Sequence, residues 1–376
     1  VSQAERRVVI VGDSIAGCTA ARELRRLEHT GPITMIGADP DGCYARPPLS
    51  KHVLKNADGQ SEAWDMSDLD ITMIASPAAG LDTEERVLHT SDLQRIPYDE
   101  LIVATGAAAR RIAEPGLTGE LVLRTRADAT ELGKRLDTAT SAIIVGAGFL
   151  GMEVASACAA RGIAVTVVDV DAPLERILGP FLSDAIATRT ESTLVDFHRL
   201  DRPAVLIGDP VDGVDISGEK LHADLVVTCA GEVPSTQWLD GTGIADAHGI
   251  GIDRRCATTA DNVFAAGDVT YALGSDTPTR TPFWSAAVAQ GKVAAASALG
   301  VEPTCEPTDD YFWTEVLGLS IKVVGPLPAQ GAPTILEGSV DDGAALLEWT
   351  HADGRKTVVA YGIKKPVGKL RRLASA

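Results

Sequence analysis

One motif occurs twice in this chain, and the repetition limits the folds open to it. Residues 8–26 read VVIVGDSIAGCTAARELRR, and residues 142–161 read AIIVGAGFLGMEVASACAAR. Each is a run of β-branched residues, a glycine turn and a helix of small residues, followed by a second apolar strand, ITMIGAD in one copy and AVTVVDVD in the other. The second copy carries G-x-G-x-x-G complete, with Gly146, Gly148 and Gly151, whereas the first has Gly12 and Gly17 with Ser14 between them. In such a turn the first glycine makes the bend, the second lets the backbone approach a pyrophosphate, and the third lets helix and strand pack closely. A lone G-x-S-x-x-G suits an ordinary strand–helix turn as well as a nucleotide cradle. Here, however, both copies end their second strand on an acid, Asp39 and Asp169, about 20 residues past the last glycine, where a carboxylate accepts from a ribose diol. Each could be a solvated strand-end acid, but the shared register favours two cradles, each offering a helix N-terminus to a pyrophosphate. Serine is the smallest polar substitute, and its hydroxyl can donate to a phosphate.

A chain of 376 residues implies two or three domains, each large enough for its own core. Between the two copies lies YDELIVATGA, a buried strand with a glycine turn. ADLVVTCAGEVPS and NVFAAGDVT read as further strands, the latter placing Asp268 at a strand end ahead of the helical FWSAAVAQGKVAAASALG. The tail from Glu306 alternates like antiparallel strands, with a hairpin turned at Asp353-Gly354. The expected fold is α/β: two Rossmann-like dinucleotide-binding domains in a glutathione-reductase-like arrangement, plus a small C-terminal α+β domain. Residues 1–107 and 232–305 form the first domain, 108–231 the second and 306–376 the third.

A net charge of −18 argues against a general nucleic-acid or membrane-surface binder, since phosphate surfaces need basic partners. The apolar stretches are short and broken by glycine, and no secretory h-region precedes the first strand, so a soluble cytoplasmic protein is expected. Six scattered cysteines, with no C-x-x-C or C-x₄-C, exclude a local redox disulfide and a standard zinc site. No metal is expected, and most of these thiols should be small buried apolar groups.

Together with the two cradles, the ATG turn, AAGD, GCYARPPLSK, TPFWSAAVAQG and DDYFW make the chain resemble the FAD-dependent pyridine nucleotide reductases. Within them it resembles the oxygenase-coupled ferredoxin reductases of the putidaredoxin reductase type, RPPLSK being the specific part. The resemblance implies FAD in the first cradle, with Gly12, Ser14 and Gly17 on the pyrophosphate and Asp39 on the adenosine ribose. Arg46 then supports the phosphate and ribityl region, Thr105 and Gly106 close over the cofactor, Asp268 binds the ribityl chain, and Trp284 lies against the flavin. NADH falls to Gly146, Gly148 and Gly151, with Asp169 on its ribose, an acid that favours NADH over NADPH. Ile15, Ala16, Ala78, Ala104, Gly267, Phe149, Leu150 and Gly231 complete the implied cofactor contacts. Arg176 is either another or a solvated helix charge. Lys51 and Glu153 are the implied catalytic pair: the lysine points at flavin N5, where a fixed ammonium stabilises the anionic reduced ring. The chain departs from the family at Ser14, at Ala45, where an acid is common, and in 180–222, which looks shortened and puts NADH affinity in question.

The implied activity passes electrons from NADH through FAD to a 2Fe–2S ferredoxin, which supplies a haem monooxygenase or Rieske oxygenase. The basic tail YGIKKPVGKLRRLASA offers Lys364, Lys365, Lys369, Arg371 and Arg372 either as a docking patch for an acidic ferredoxin or as a solvated terminal helix. One alternative is an NADH oxidase, peroxidase or small-disulfide reductase using Cys43. Another is a flavin-bearing interaction protein like apoptosis-inducing factor, whose nucleic-acid binding the acidic balance disfavours.

Overall fold

The computed structural model describes residues 5–56, 59, 61–274 and 278–376. They divide into two compact units, one of residues 1–45, 62–108 and 233–309, the other of 46–61, 109–232 and 310–376.

The first unit is built on strands that are apolar on both faces, as central parallel strands must be. Val8–Val11 and Glu100–Val103 are buried throughout. They form a five-stranded parallel sheet in the spatial order Val263–Ala265, Glu100–Val103, Val8–Val11, Ile33–Gly37, Thr72–Ala75. Helices Ile15–Arg26 and Trp284–Ala298 cross closely because position 291 is glycine: a Cβ there would lie 2.5 Å from the Ala16 carbonyl oxygen.

In the second unit the repeated motif builds a four-stranded parallel sheet, ordered Val195–Arg199, Ala164–Asp169, Ser141–Val145, Leu225–Thr228. The short segment 180–222 still supplies helix Pro180–Thr190, the outer strand Val195–Arg199 and a small antiparallel sheet. The C-terminal residues form a five-stranded antiparallel sheet ordered Tyr311–Val316, Leu319–Val324, Lys356–Tyr361, Ala344–Thr350, Thr334–Ser339. Its hairpin closes at residues 351–355, with Gly354 at φ +82°. Helix Val367–Ala374 packs Leu370 against Val324, Leu346, Val358 and Ala360, leaving Lys369, Arg371 and Arg372 exposed. Residues 46–61 group with this second unit, although chain order had placed them in the first domain. Hydrogen bonds from Arg126 to the Ser61 carbonyl and from Arg161 to the Leu54 carbonyl, both 3.1 Å, hold them there.

The two glycine turns superimpose in their constraints. Gly12 sits at φ +115°, and a Cβ there would lie 2.1 Å from the Ala104 carbonyl oxygen; Gly146 sits at +114°, with Cys229 O at 2.3 Å. A Cβ on Gly17 would lie 1.9 Å from Gly12 O, and one on Gly151 1.8 Å from Gly146 O. The middle position is different. Ser14 (φ −100°, ψ −165°) and Gly148 (−73°, −172°) share an ordinary extended backbone, and a Cβ on Gly148 meets no atom of the described residues within 4 Å. Steric contact among the described residues thus demands glycine at the first and third positions, and the extended backbone at the middle one is open to serine. Gly17→Ala should lower the thermal midpoint by about 6–10 °C, from roughly 3 kcal/mol of overpacking. Ser14→Gly should move it by little, since Gly in place of a serine N-cap costs only about a few tenths of a kcal/mol.

Candidate functional site

In the first unit the turn opens onto helix Ile15–Arg26, whose first turn holds no acid and whose N-cap Ser14 makes no side-chain capping bond. Its N–H groups and positive dipole end are thus suited to an anion. Asp39 follows the second strand and accepts from Tyr44 Oη at 2.7 Å and from the Asp41 N–H at 3.1 Å. Asp268 follows Gly267, which sits at φ +84° with its Cα against Ala16, where a Cβ would find the Ala16 methyl at 3.1 Å. This close approach brings the Asp268 turn to the start of the nucleotide helix. Buried Gln290 fixes it, its Oε1 accepting from the Gly267 N–H at 2.7 Å and Thr270 Oγ1 at 3.1 Å. Gln290 lies in TPFWSAAVAQG, a stretch that does not by itself reveal this contact. Thr105 donates to the Ser235 carbonyl at 2.8 Å, and the Gly106 carbonyl accepts from Ser235 N–H at 3.0 Å. Ala78 is half-buried on strand Ala78–Asp82, Ile15 and Ala16 open the helix, and Ala104 is buried. Trp284, at the start of its helix, remains 39% exposed for so large an apolar ring.

Cys43 is buried beside Cys18, a neighbour that pulls the Cys43 thiol pKa down while its own is raised. A peroxide- or disulfide-reducing cysteine needs an accessible thiolate, and a thiol enclosed in the core beneath the nucleotide helix does not provide one. Among the described residues no cluster of His, Cys, Asp and Glu could hold a metal, and no helix is long and apolar enough to cross a membrane.

In the second unit Asp169 turns back onto its own glycine loop, accepting from the Ala147 N–H at 2.6 Å and from Asp171 N–H at 3.2 Å. Arg176 is a salt-bridge partner of both acids, its Nη2 3.5 Å from Asp169 Oδ1 and its Nε on Asp171. Phe149 and Leu150 begin the helix that carries Gly151, and the Phe149 ring stacks on Phe312 at 3.9 Å between centroids. Gly231 adopts φ +90° in an open position. Arg46 donates to the Arg124 carbonyl at 3.2 Å.

The same unit joins Lys51 to Glu153. After Pro47-Pro48, which fix φ, Leu49–Val53 forms a helical turn. Lys51 Nζ donates to Glu153 Oε2 at 2.9 Å and to the Pro47 carbonyl at 3.2 Å. Two hydroxyls share the carboxylate: Ser50 donates to Oε2, and Thr314 to Oε1 at 2.6 Å. Glu153 is only 5% exposed, yet every side of the charge is answered. The Trp313 ring centroid lies 5.9 Å from Nζ, within cation–π range, and Trp313 stacks on Tyr311. Ser50 lies within RPPLSK, but the motif alone ties neither it nor Thr314 to Glu153. The one available signal was the alternation in YFWTEV, which puts Thr314 on the buried face with Phe312 and Val316.

This arrangement can hold one fixed positive charge in a largely desolvated place. Lys51→Met removes it and strands a buried carboxylate, which should lower stability by about 3 kcal/mol, the low end for breaking a buried pair, because two hydroxyls still donate. Lys51→Met with Glu153→Gln should recover most of that loss in urea unfolding; a double variant less stable than the single would deny that the pair is coupled.

Two parallel-sheet units, each with a glycine turn, a nucleotide-facing helix and a strand-end acid, define a protein that binds two dinucleotides. Residues 6–291 match the family model described as pyridine nucleotide-disulphide oxidoreductase, and the chain belongs to that family. FAD and NADH are its cofactors. The chain is 33% identical over 353 residues to rhodocoxin reductase of Rhodococcus erythropolis, covering 89% of this chain and 82% of that protein. It is 31% identical over 381 residues to the ferredoxin–NAD(+) reductase subunit of the benzene 1,2-dioxygenase system of Pseudomonas putida, covering 98% and 92% of the two chains. Among solved structures it is similar to the ferredoxin reductase of the CYP199A2 system from Rhodopseudomonas palustris, with TM-score 0.87, 27% identity and coverage of 96% and 92%.

Proposed function

We propose that this protein is an NADH-dependent ferredoxin reductase of an oxygenase system, and that the buried Lys51–Glu153 pair is its functional centre. The observation that carries the reading is that a lysine 13% exposed in its side chain is fixed by a carboxylate that two hydroxyls also hold. FAD held there would supply an acceptor for the hydride of NADH and a donor of single electrons. The protein's task is to hold both nucleotides and supply electrostatics. The turn at Gly12, Ser14 and Gly17 binds the FAD pyrophosphate, Asp39 the adenosine ribose and Asp268 the ribityl hydroxyls, with Arg46, Thr105, Gly106 and Trp284 around the rest. Gly146, Gly148 and Gly151 cradle NADH, with Asp169 accepting from its ribose diol. Lys51 would hold a positive charge for negative charge developing on the cofactor, and Glu153, itself fixed by Ser50 and Thr314, sets where that charge sits.

Lys51→Met should leave FAD bound and slow its reduction by saturating NADH about 10²–10³-fold, the effect of losing one aimed electrostatic stabiliser. Glu153→Gln should slow the same step less. Stopped-flow reduction measures both, and unchanged rates would reduce the pair to a structural role.

The electron acceptor we propose is an acidic 2Fe–2S ferredoxin that docks on the C-terminal helix. The patch is smaller than the sequence suggests, because Lys365 is bound to Glu337 at 2.6 Å and holds that carboxyl below its usual range. Lys364, Lys369, Arg371 and Arg372 are the exposed cations. They counter the repulsion between an acidic ferredoxin and a chain of net charge −18, acting chiefly on association rate. Replacing these four by Gln should raise the KM for ferredoxin and flatten its salt dependence, while NADH–ferricyanide turnover stays as it was. Unchanged ferredoxin kinetics would move docking to another surface.

A further inference from the structure

The parallel sheet of the first unit ends on one side at Thr72–Ala75, which pairs in unbroken register with Ile33–Gly37 and has no strand beyond it among the described residues. Thr72, Met73 and Ala75 are exposed, Met73 to 46%, and Ile74 is half-buried. Such an edge offers unpaired N–H and C=O groups, and natural sheets guard it with charges, bulges or a covering segment. Other outer strands here are guarded. Val195–Arg199 carries Asp196, His198 and Arg199, Thr334–Ser339 carries Glu337 and a bulge between Ile335 and Glu337, and Val263–Ala265 is bridged by Ala257. Thr72–Ala75 has none of these: residues 71–81, ITMIASPAAGL, hold no charge in a chain whose net charge is −18. The hairpin tip at the end of this strand is unusual as well. Ser76 donates to Asp92 at 2.8 Å, Gln94 donates to the other carboxylate oxygen at 2.7 Å, and the Ser91 N–H donates to the Pro77 carbonyl at 2.8 Å. That frame holds Leu93 at φ +66° and 89% exposed. A leucine in the left-handed region is strained, and one in water buries nothing, so the chain alone gains from neither.

We propose that this edge docks a second copy of the same chain, the two Thr72–Ala75 strands pairing antiparallel about a two-fold axis to make one continuous sheet. The pairing is self-complementary, as a two-fold interface must be. About the midpoint of the strand Thr72 stands opposite Ala75 and Met73 opposite Ile74, so no like charges meet and apolar cross-strand pairs close the centre. Two copies of net charge −18 repel over most of their surfaces, and an uncharged strip is where they can approach. A basic partner finds no acid on this strip and an acidic one no base, so the strip favours an identical copy over a charged protein. The Leu93 tip stands at the end of the strand, and the antiparallel arrangement brings that end to the start of the other strand, at half-buried Ile71. Leu93 then covers apolar surface across the axis, and its left-handed backbone serves contact rather than folding. The strand is four residues long, so the dimer is weak and concentration-dependent.

Sedimentation velocity of the FAD-loaded protein from roughly 1 to 100 µM, the range of weak interfaces, should show a monomer–dimer equilibrium. Added NaCl should tighten it, because salt screens the repulsion between two acidic copies and there is no ion pair to weaken. A dimer that salt loosens is held by charges and contradicts the inference. Met73→Lys sets two ammonium groups near the axis and should weaken association at least about tenfold. Ile335→Lys, on the bulged edge of the C-terminal sheet, should leave association unchanged. Leu93→Asn suits a left-handed backbone but removes the apolar tip, so it should weaken the dimer without lowering the thermal midpoint of the monomer. NADH–ferricyanide turnover of each variant, measured dilute, should match the parent protein and so show that the fold and FAD are retained. A protein monomeric throughout the range, or a dimer indifferent to Met73→Lys, overturns the inference. A dimer lost with Ile335→Lys instead belongs to the other edge and overturns it equally, and a dimer unmoved by Leu93→Asn removes the tip from the interface.

Discussion

A carboxylate buried among apolar groups has to be answered on every side, and in this protein Glu153 imposes that demand on three separate stretches of chain. The helix that begins at the second glycine turn carries it, the turn Leu49–Val53 brings Ser50 and Lys51, and strand Tyr311–Val316 brings Thr314. Removing any one donor leaves the charge with less compensation in a place where water cannot substitute. The sheet that provides Thr314 also stacks Phe312 on Phe149, so packing and hydrogen bonding agree on one placement of the strand. An ammonium confined in this way is preorganised, needing no reorientation when negative charge develops beside it.

The parallel sheets were legible from the sequence because their strands are apolar on both faces and their glycine turns recur with fixed spacing. Ser14 departs from the pattern at the one position whose backbone is ordinary and extended. The backbone distinguishes the three positions: the first and third face carbonyl oxygens at about 2 Å from a would-be Cβ, and the middle one faces open space. Lys51 and Glu153 could be paired through the family resemblance, but Ser50, Thr314 and Gln290 could not. Each is a common polar residue whose role depends on what stands across from it in the fold, and linear spacing does not encode that.

Charge was legible in sum and illegible in arrangement. The tail reads as five cations with no acid among them, yet Lys365 reaches across to Glu337 on the edge strand and is spent on holding it. Around Asp169 the same lesson runs the other way. Residues 169–176 carry three acids and Arg176, and the fold adds Arg199 from the next strand of the sheet.

The clasp on Glu153 also governs how this unit comes apart. The Leu317 N–H donates to Ser156 Oγ at 2.8 Å one helical turn beyond Glu153, and Arg189 donates to the Leu317 carbonyl at 2.9 Å. The first strand of the C-terminal sheet is therefore latched to the nucleotide helix at two levels, and the Ser50–Lys51 turn closes over the upper one. Local opening of that turn exposes a bare carboxylate, and slippage of the strand breaks bonds at both levels, so neither escapes alone. Backbone amides in the turn, the helix and the strand should accordingly share one protection factor in native-state hydrogen exchange, making three distant pieces of sequence a single cooperative folding element.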